Sequence, residues 1–142
     1  MTNQFVVLLH EMPSDSDRAS HFDWMFELDG SLRTWAVETN NDIESFLSKP
    51  SPSERFCWSA MKLANHRIDY LEYEGPVSNN RGQVSCCLKG EFDLLCDDED
   101  SFRASLRIRQ PSDVSPIEIR FGRDENNWRL IVGQPAIDGT SN

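Results

Sequence analysis

The chain holds no apolar run that approaches the roughly 20 residues a bilayer-spanning helix needs. Its opening, Met1 to Gln4 followed by five apolar side chains, lacks the charged lead and long apolar core of a signal peptide. None of its four cysteines stands at Cys-x-x-Cys spacing, and the neighbours Cys86 and Cys87 would point to opposite faces of a strand. A shared zinc or a disulfide framework is therefore disfavoured, and the expectation is reduced thiols in a cytoplasmic protein with no membrane partner. Positive charge is scarce too. Fourteen Lys and Arg face 24 Asp and Glu, a formal net charge of -10, which opposes sequence-blind binding along a phosphate backbone but leaves room for a local site that grips one phosphate. No internal repeat is present.

What is there is the composition of a folded protein. With 142 residues, 38% hydrophobic content and four tryptophans, the chain suits one domain with a real core, over residues 1–133, and a monomer is the default. Residues 134–142 read as a frayed tail.

Strands dominate the pattern. Phe5 to Leu9 is β-rich and delivers His10 at its end; the polar stretch Glu11 to Ser20 reads as a mobile loop. His21 to Leu28 alternates with period two, placing Phe22, Trp24, Phe26 and Leu28 on a core face and His21, Asp23, Met25 and Glu27 on a polar one. Asp29-Gly30 is a hairpin-turn signal, with Ser31 to Val37 as the returning strand. Asp42 to Leu47 suits one or two helical turns within a long connection. Phe56 to Leu63 fits a strand or a helix. Gly75-Pro76 and Ser78 to Gly82 are turn material, and Gln83 to Leu88 and Glu91 to Cys96 read as two strands around Lys89-Gly90. The acidic run Asp97 to Asp100 is a solvated hairpin tip. Phe102 to Arg109, Ile117 to Phe121 and Trp128 to Val132 complete the set. Short strands at this spacing, with short helical turns in the connections, predict an all-β, mainly antiparallel fold and a small β-barrel.

The chain has three histidines, His10, His21 and His66, each at or beside the edge of an apolar strand. His21 and Asp23, at i and i+2, share one strand face, as two ligands of one ion must. If the strand ending at His10 lies beside the strand beginning at His21, two imidazoles and a carboxylate converge. Two nitrogens and one oxygen suit manganese, zinc or ferrous iron better than calcium or magnesium.

The residues carry a resemblance. Phe5-Val6-Val7-Leu8-Leu9-His10, His21-Phe22-Asp23-Trp24-Met25-Phe26-Glu27-Leu28-Asp29-Gly30, Thr34-Trp35-Ala36-Val37 and His66-Arg67-Ile68-Asp69-Tyr70-Leu71-Glu72-Tyr73-Glu74-Gly75 resemble, in order, blocks of the 3'-phosphoesterase domain of bacterial ATP-dependent DNA ligase D. Gly82-Gln83-Val84 and Lys89-Gly90-Glu91-Phe92 resemble that family's glycine-led strand pair, so the likeness runs over roughly residues 5–132. It implies a small β-barrel that trims nucleic-acid 3' ends with a divalent metal, manganese first and zinc as the substitute. Its metal would be held by His10, His21 and Asp23, with His66 and Tyr70 on the scissile phosphate. The implied partner is a nucleic-acid 3' end or a small phosphate ester, and the implied role is DNA repair by a hydrolase.

The sequence departs from the family at its basic positions. Met25 replaces an arginine two residues after the aspartate, Thr39 stands for a lysine, and Trp58 occupies the place of a further arginine. Each lost transition-state contact is worth about 10²–10³ in rate by analogy with a single preorganised donor. Arg18, Arg33 and Arg81 are the candidates to substitute. A metal- or phosphate-binding module with a partner-binding role and little turnover is the competing reading.

Overall fold

In the computed structural model, which describes residues 3–133, nine strands and one α-helix follow the chain in order. They are β1 (Asn3–Glu11), β2 (His21–Leu28), β3 (Ser31–Glu38), α1 (Asn41–Ser48), β4 (Phe56–His66), a 3-10 turn (Ile68–Leu71), β5 (Gly75–Pro76), β6 (Gln83–Asp97), β7 (Ser101–Gln110), β8 (Val114–Asp124) and β9 (Asn127–Val132). The expected tail over 134–142 lies outside the described residues.

Every strand pairing is antiparallel. The sheet runs β1-β2-β3-β4-β9-β8-β7-β6, and β6 returns to pair with β1, closing a ring of eight strands; β5 is a two-residue ninth strand on β6. The fold is all-β, as the strand spacing predicts. A closed ring leaves no long free edge for other chains to pair with. Among the described residues no helix is long and apolar enough to cross a membrane.

The ring encloses the larger core. Alternation sends Phe5 and Val7 of β1, Phe22, Trp24 and Phe26 of β2, and Phe102, Ala104, Leu106 and Ile108 of β7 to its inside. Phe26 meets Phe92 at 5.4 Å and Phe102 at 4.9 Å, while Trp35 stacks on Phe121 at 4.3 Å. The β2–β3 hairpin turns on Asp29 and Gly30, both at positive φ (54° and 83°), the geometry whose twist matches paired strands. Helix α1 is capped by Asn40, whose side chain accepts the Ile43 N–H at 2.9 Å, and buries Ile43, Phe46 and Leu47. Phe46 lies against Phe56 and Trp58.

Three sequence expectations change. Phe56 to Leu63 is strand, because β4 has partners on both sides, β3 and β9. Gln83 to Cys96 is one continuous strand, not two: Lys89-Gly90 marks a register shift, and a side chain at Gly90 would run into the Arg107 carbonyl. The outer face of β2 is not a solvated polar face. Met25 packs there with Val6, Leu8, Leu32, Leu71 and Val84 in a second apolar cluster, covered by the segment 67–82.

Candidate metal centre

The β1–β2 register sets the site. His10 and His21 are directly paired across the two strands, and Asp23 follows two residues along on the same face. His10 Nδ1 lies 3.4 Å from Asp23 Oδ2, and His21 Nε2 lies 3.2 Å from Asp23 Oδ1. One ligand atom from each of the three residues falls within 4.8 Å of the other two.

Backbone carbonyls fix the rings. The Arg81 carbonyl accepts from His10 Nε2 at 2.6 Å, and the Ala19 carbonyl accepts from His21 Nδ1 at 3.0 Å. A carbonyl can only accept, so those nitrogens carry the protons in the neutral rings. The lone pairs of His10 Nδ1 and His21 Nε2 then face a carboxylate. His21 Nε2 and Asp23 Oδ1 are buried and form no hydrogen bond with each other or with any other group among the described residues. Lone pairs opposed to a buried carboxylate demand positive charge between them. A divalent ion fits that demand, with each imidazole oriented by a backbone carbonyl on its other nitrogen in the manner usual for ligating histidine.

A proton meets the same demand less completely. The Asp23 carboxylate, through a hydrogen bond, raises the His10 pKa above 6.5, assisted by the Arg81 carbonyl and opposed by burial and by the Arg18 charge. Burial pushes Asp23 up, but the two imidazoles together outweigh it and hold its carboxyl below 3.8.

His66 and Tyr70 share this site. A cavity of about 180 Å³ is lined by His10, His21, Asp23, His66 and Tyr70, together with Met25, Arg18 and Arg81. His66 closes β4 opposite Leu32, and its Nδ1 donates to the Ala64 carbonyl at 2.9 Å, which leaves Nε2 as the uncommitted ring nitrogen. Tyr70 comes from the 3-10 turn and stands edge-on to His66, with centroids 5.8 Å apart. A larger cavity of about 510 Å³ beside Leu9 and Phe22 on the inner side of the same wall contains no imidazole.

Two arginines reach the site from loops that sequence alone does not place. Arg18 comes from the β1–β2 loop and makes no ion pair among the described residues. Arg81 contributes its carbonyl to His10, while its guanidinium bonds to Ser78 at 2.8 and 3.2 Å. The one local signal for Arg81 is Gly82 beside it: Gly82 has φ of 82°, and any side chain there would collide with the Glu11 carbonyl. Arg33 instead pairs with Asp97, and Arg55 lines a different cavity. Thr39 and Trp58 border a separate cleft that shares Arg18 and His21 with the metal-type cavity. No family model matches the chain, and no curated protein matches it.

Proposed function

We propose that the chain is a divalent-metal-dependent phosphoesterase, a relative of the ligase D 3'-phosphoesterase domain. It would cleave a phosphate ester at a nucleic-acid 3' end or on a smaller molecule. The observation that carries this reading is the pair of buried, unpartnered atoms His21 Nε2 and Asp23 Oδ1, facing each other beside His10 in a cavity that also holds His66, Tyr70 and Arg18.

His10, His21 and Asp23 would hold the ion, which when bound supplies positive charge to the phosphoryl oxygens and acidifies water. The protein's own groups account for the rest. Arg18, with no carboxylate partner among the described residues, is free to pair with a phosphoryl oxygen and to stabilise charge there as the reaction proceeds. His66 Nε2 can carry a proton to the departing oxygen, its ring held by the Ala64 carbonyl. The Tyr70 hydroxyl is a second donor on that side. Val84 and Met25 give the cavity an apolar flank.

A manganese-supplemented assay on 3'-phosphate and 3'-ribonucleotide primers, and on phenyl phosphate, tests the reading. Turnover that disappears in His21→Ala supports it, and turnover indifferent to that change removes it. The competing reading, a metal-binding module without turnover, draws on Met25: the side chain beside Asp23 is apolar and packed in a cluster, where it can neither donate nor hold charge. Metal binding with no hydrolysis of any of the three esters selects that reading.

A further inference from the structure

The β3–β4 pairing runs from Leu32↔His66 to Ala36↔Met61 and stops. Beyond it, β4 pairs only with β9, from Ala60 to Phe56. Val37 and Glu38 on one side, and Trp58 and Ser59 on the other, therefore stand across a gap that no ladder rung bridges. This wedge in the barrel wall is a cleft of about 530 Å³, and one end of it is formed by His21 and Arg18. The same two residues line the cavity of the candidate metal centre. The buried His21 ring and Arg18 are thus common to the walls of the cleft and of the metal-type site.

Its chemistry differs from that of the site. The walls carry Val37, Trp58, Ala60 and Met61, and the facing edges of β3 and β4 share no ladder rung along the gap, although β3 stays paired with β2 and β4 with β9. Trp58 rests on Phe56, nearly parallel at 13° with centroids 5.0 Å apart, and against Phe46, so it is a packed edge of the cleft. Met61, paired with Ala36 of β3 one residue past the last rung to β9, is 61% exposed, a large apolar side chain left in water. Among the described residues Arg18 is the one cation lining the cleft, and Glu38 supplies a carboxylate.

We propose that this cleft is a specificity subsite that receives a single planar, uncharged aromatic group of a phosphate ester whose phosphate sits at Arg18 and His21. The proposal rests on the phosphoesterase reading and narrows it to small aryl or heteroaryl esters. Each further nucleotide of a strand would bring another negative charge to walls that offer Glu38 and no second cation. A flat ring instead finds apolar walls on both sides and backbone donors and acceptors along the gap. The cleft volume is in the range of sites that enclose one small ligand.

The test compares phenyl phosphate, methyl phosphate and a 3'-phosphorylated oligonucleotide, bound to the zinc-loaded full-length protein and followed by amide and indole NMR shifts. Phenyl phosphate is expected to bind at least about tenfold more tightly than methyl phosphate, from burial of one ring. It should shift Val37, Glu38, Ser59 and the Trp58 indole. Met61→Glu, at an exposed position that leaves folding intact, should abolish the phenyl preference without weakening methyl phosphate. Equal affinities, shifts confined to the His66 side, or tighter binding of the oligonucleotide would each overturn the proposal. Phenyl-dependent shifts at the cleft in a protein that hydrolyses none of these esters would keep the subsite and remove the phosphoesterase reading, so the two fail separately.

Discussion

The two faces of β2 are equally buried and chemically opposite. Inward, Phe22, Trp24 and Phe26 are 3%, 0% and 0% exposed; outward, His21, Asp23 and Met25 are 3%, 2% and 1% exposed. Burial therefore does not separate core from site here. Satisfaction does. The inner face leaves the Trp24 indole N–H without a partner, but a neutral donor among aromatic rings costs only about 1–3 kcal/mol. The outer face leaves a carboxylate oxygen unpaired opposite an imidazole nitrogen, and a buried charge calls for a countercharge. The first is a stability compromise, the second an electrostatic demand with a preferred sign.

Exchanging the two faces by mutation breaks the comparison most directly. Phe26→Ala removes a ring that touches Phe92 and Phe102, and should cost about 3–5 kcal/mol in urea unfolding while the folded fraction keeps its metal affinity. His21→Ala should do the reverse, lowering zinc affinity by at least about 100-fold, beyond what loss of a group hydrogen-bonded to a ligand costs, with a smaller change in unfolding free energy. If both changes moved stability and metal binding together, the two faces would not be functionally distinct.

A smaller effect sharpens the role of the segment over the outer face. Gly82→Ala forces a positive-φ position against the Glu11 carbonyl and must displace the adjacent Arg81 carbonyl from His10. Zinc affinity should drop about 10-fold, the lower end of the range for removing a group hydrogen-bonded to a ligating imidazole. Isothermal titration against the wild type measures it.

The smallest effect is graded in pH. His10 titrates above 6.5, so protons compete with metal from above that value downward, and affinity should fall by up to about tenfold per pH unit for one displaced proton. Asp23 stays ionised throughout, since its pKa is held below 3.8. In metal-free protein the signs differ between the two groups. The stability that His10 contributes is complete below pH 6.5 and is lost as pH rises through its raised folded value. The part from Asp23 is present above pH 3.8 and is lost as pH falls through its depressed folded value. Zinc titrations at several pH values, beside metal-free unfolding curves, read both.

Local periodicity reveals the inner face of β2 and the i, i+2 placement of His21 and Asp23, because a strand fixes both without help from the rest of the chain. His10 becomes legible once its strand is assigned as the neighbour of β2, since the antiparallel register sets it opposite His21. Met25 misleads: alternation assigns it to a polar face, and only the covering segment 67–82, which no local pattern announces, turns that face into a second apolar cluster. Arg18 and Arg81 are equally invisible, since a loop residue's position depends on strand pairings many residues away. The cleft beside Trp58 is the least legible feature, because it arises where β3 and β4 stop pairing.

The central claim is that His10, His21 and Asp23 form one metal site. A zinc titration of the full-length protein, followed through the imidazole ring resonances at pH 7.5, tests it most directly. The account predicts that His10 and His21 shift together and saturate at one equivalent, with His66 moving less. Zinc that leaves the His10 and His21 resonances unmoved would contradict it.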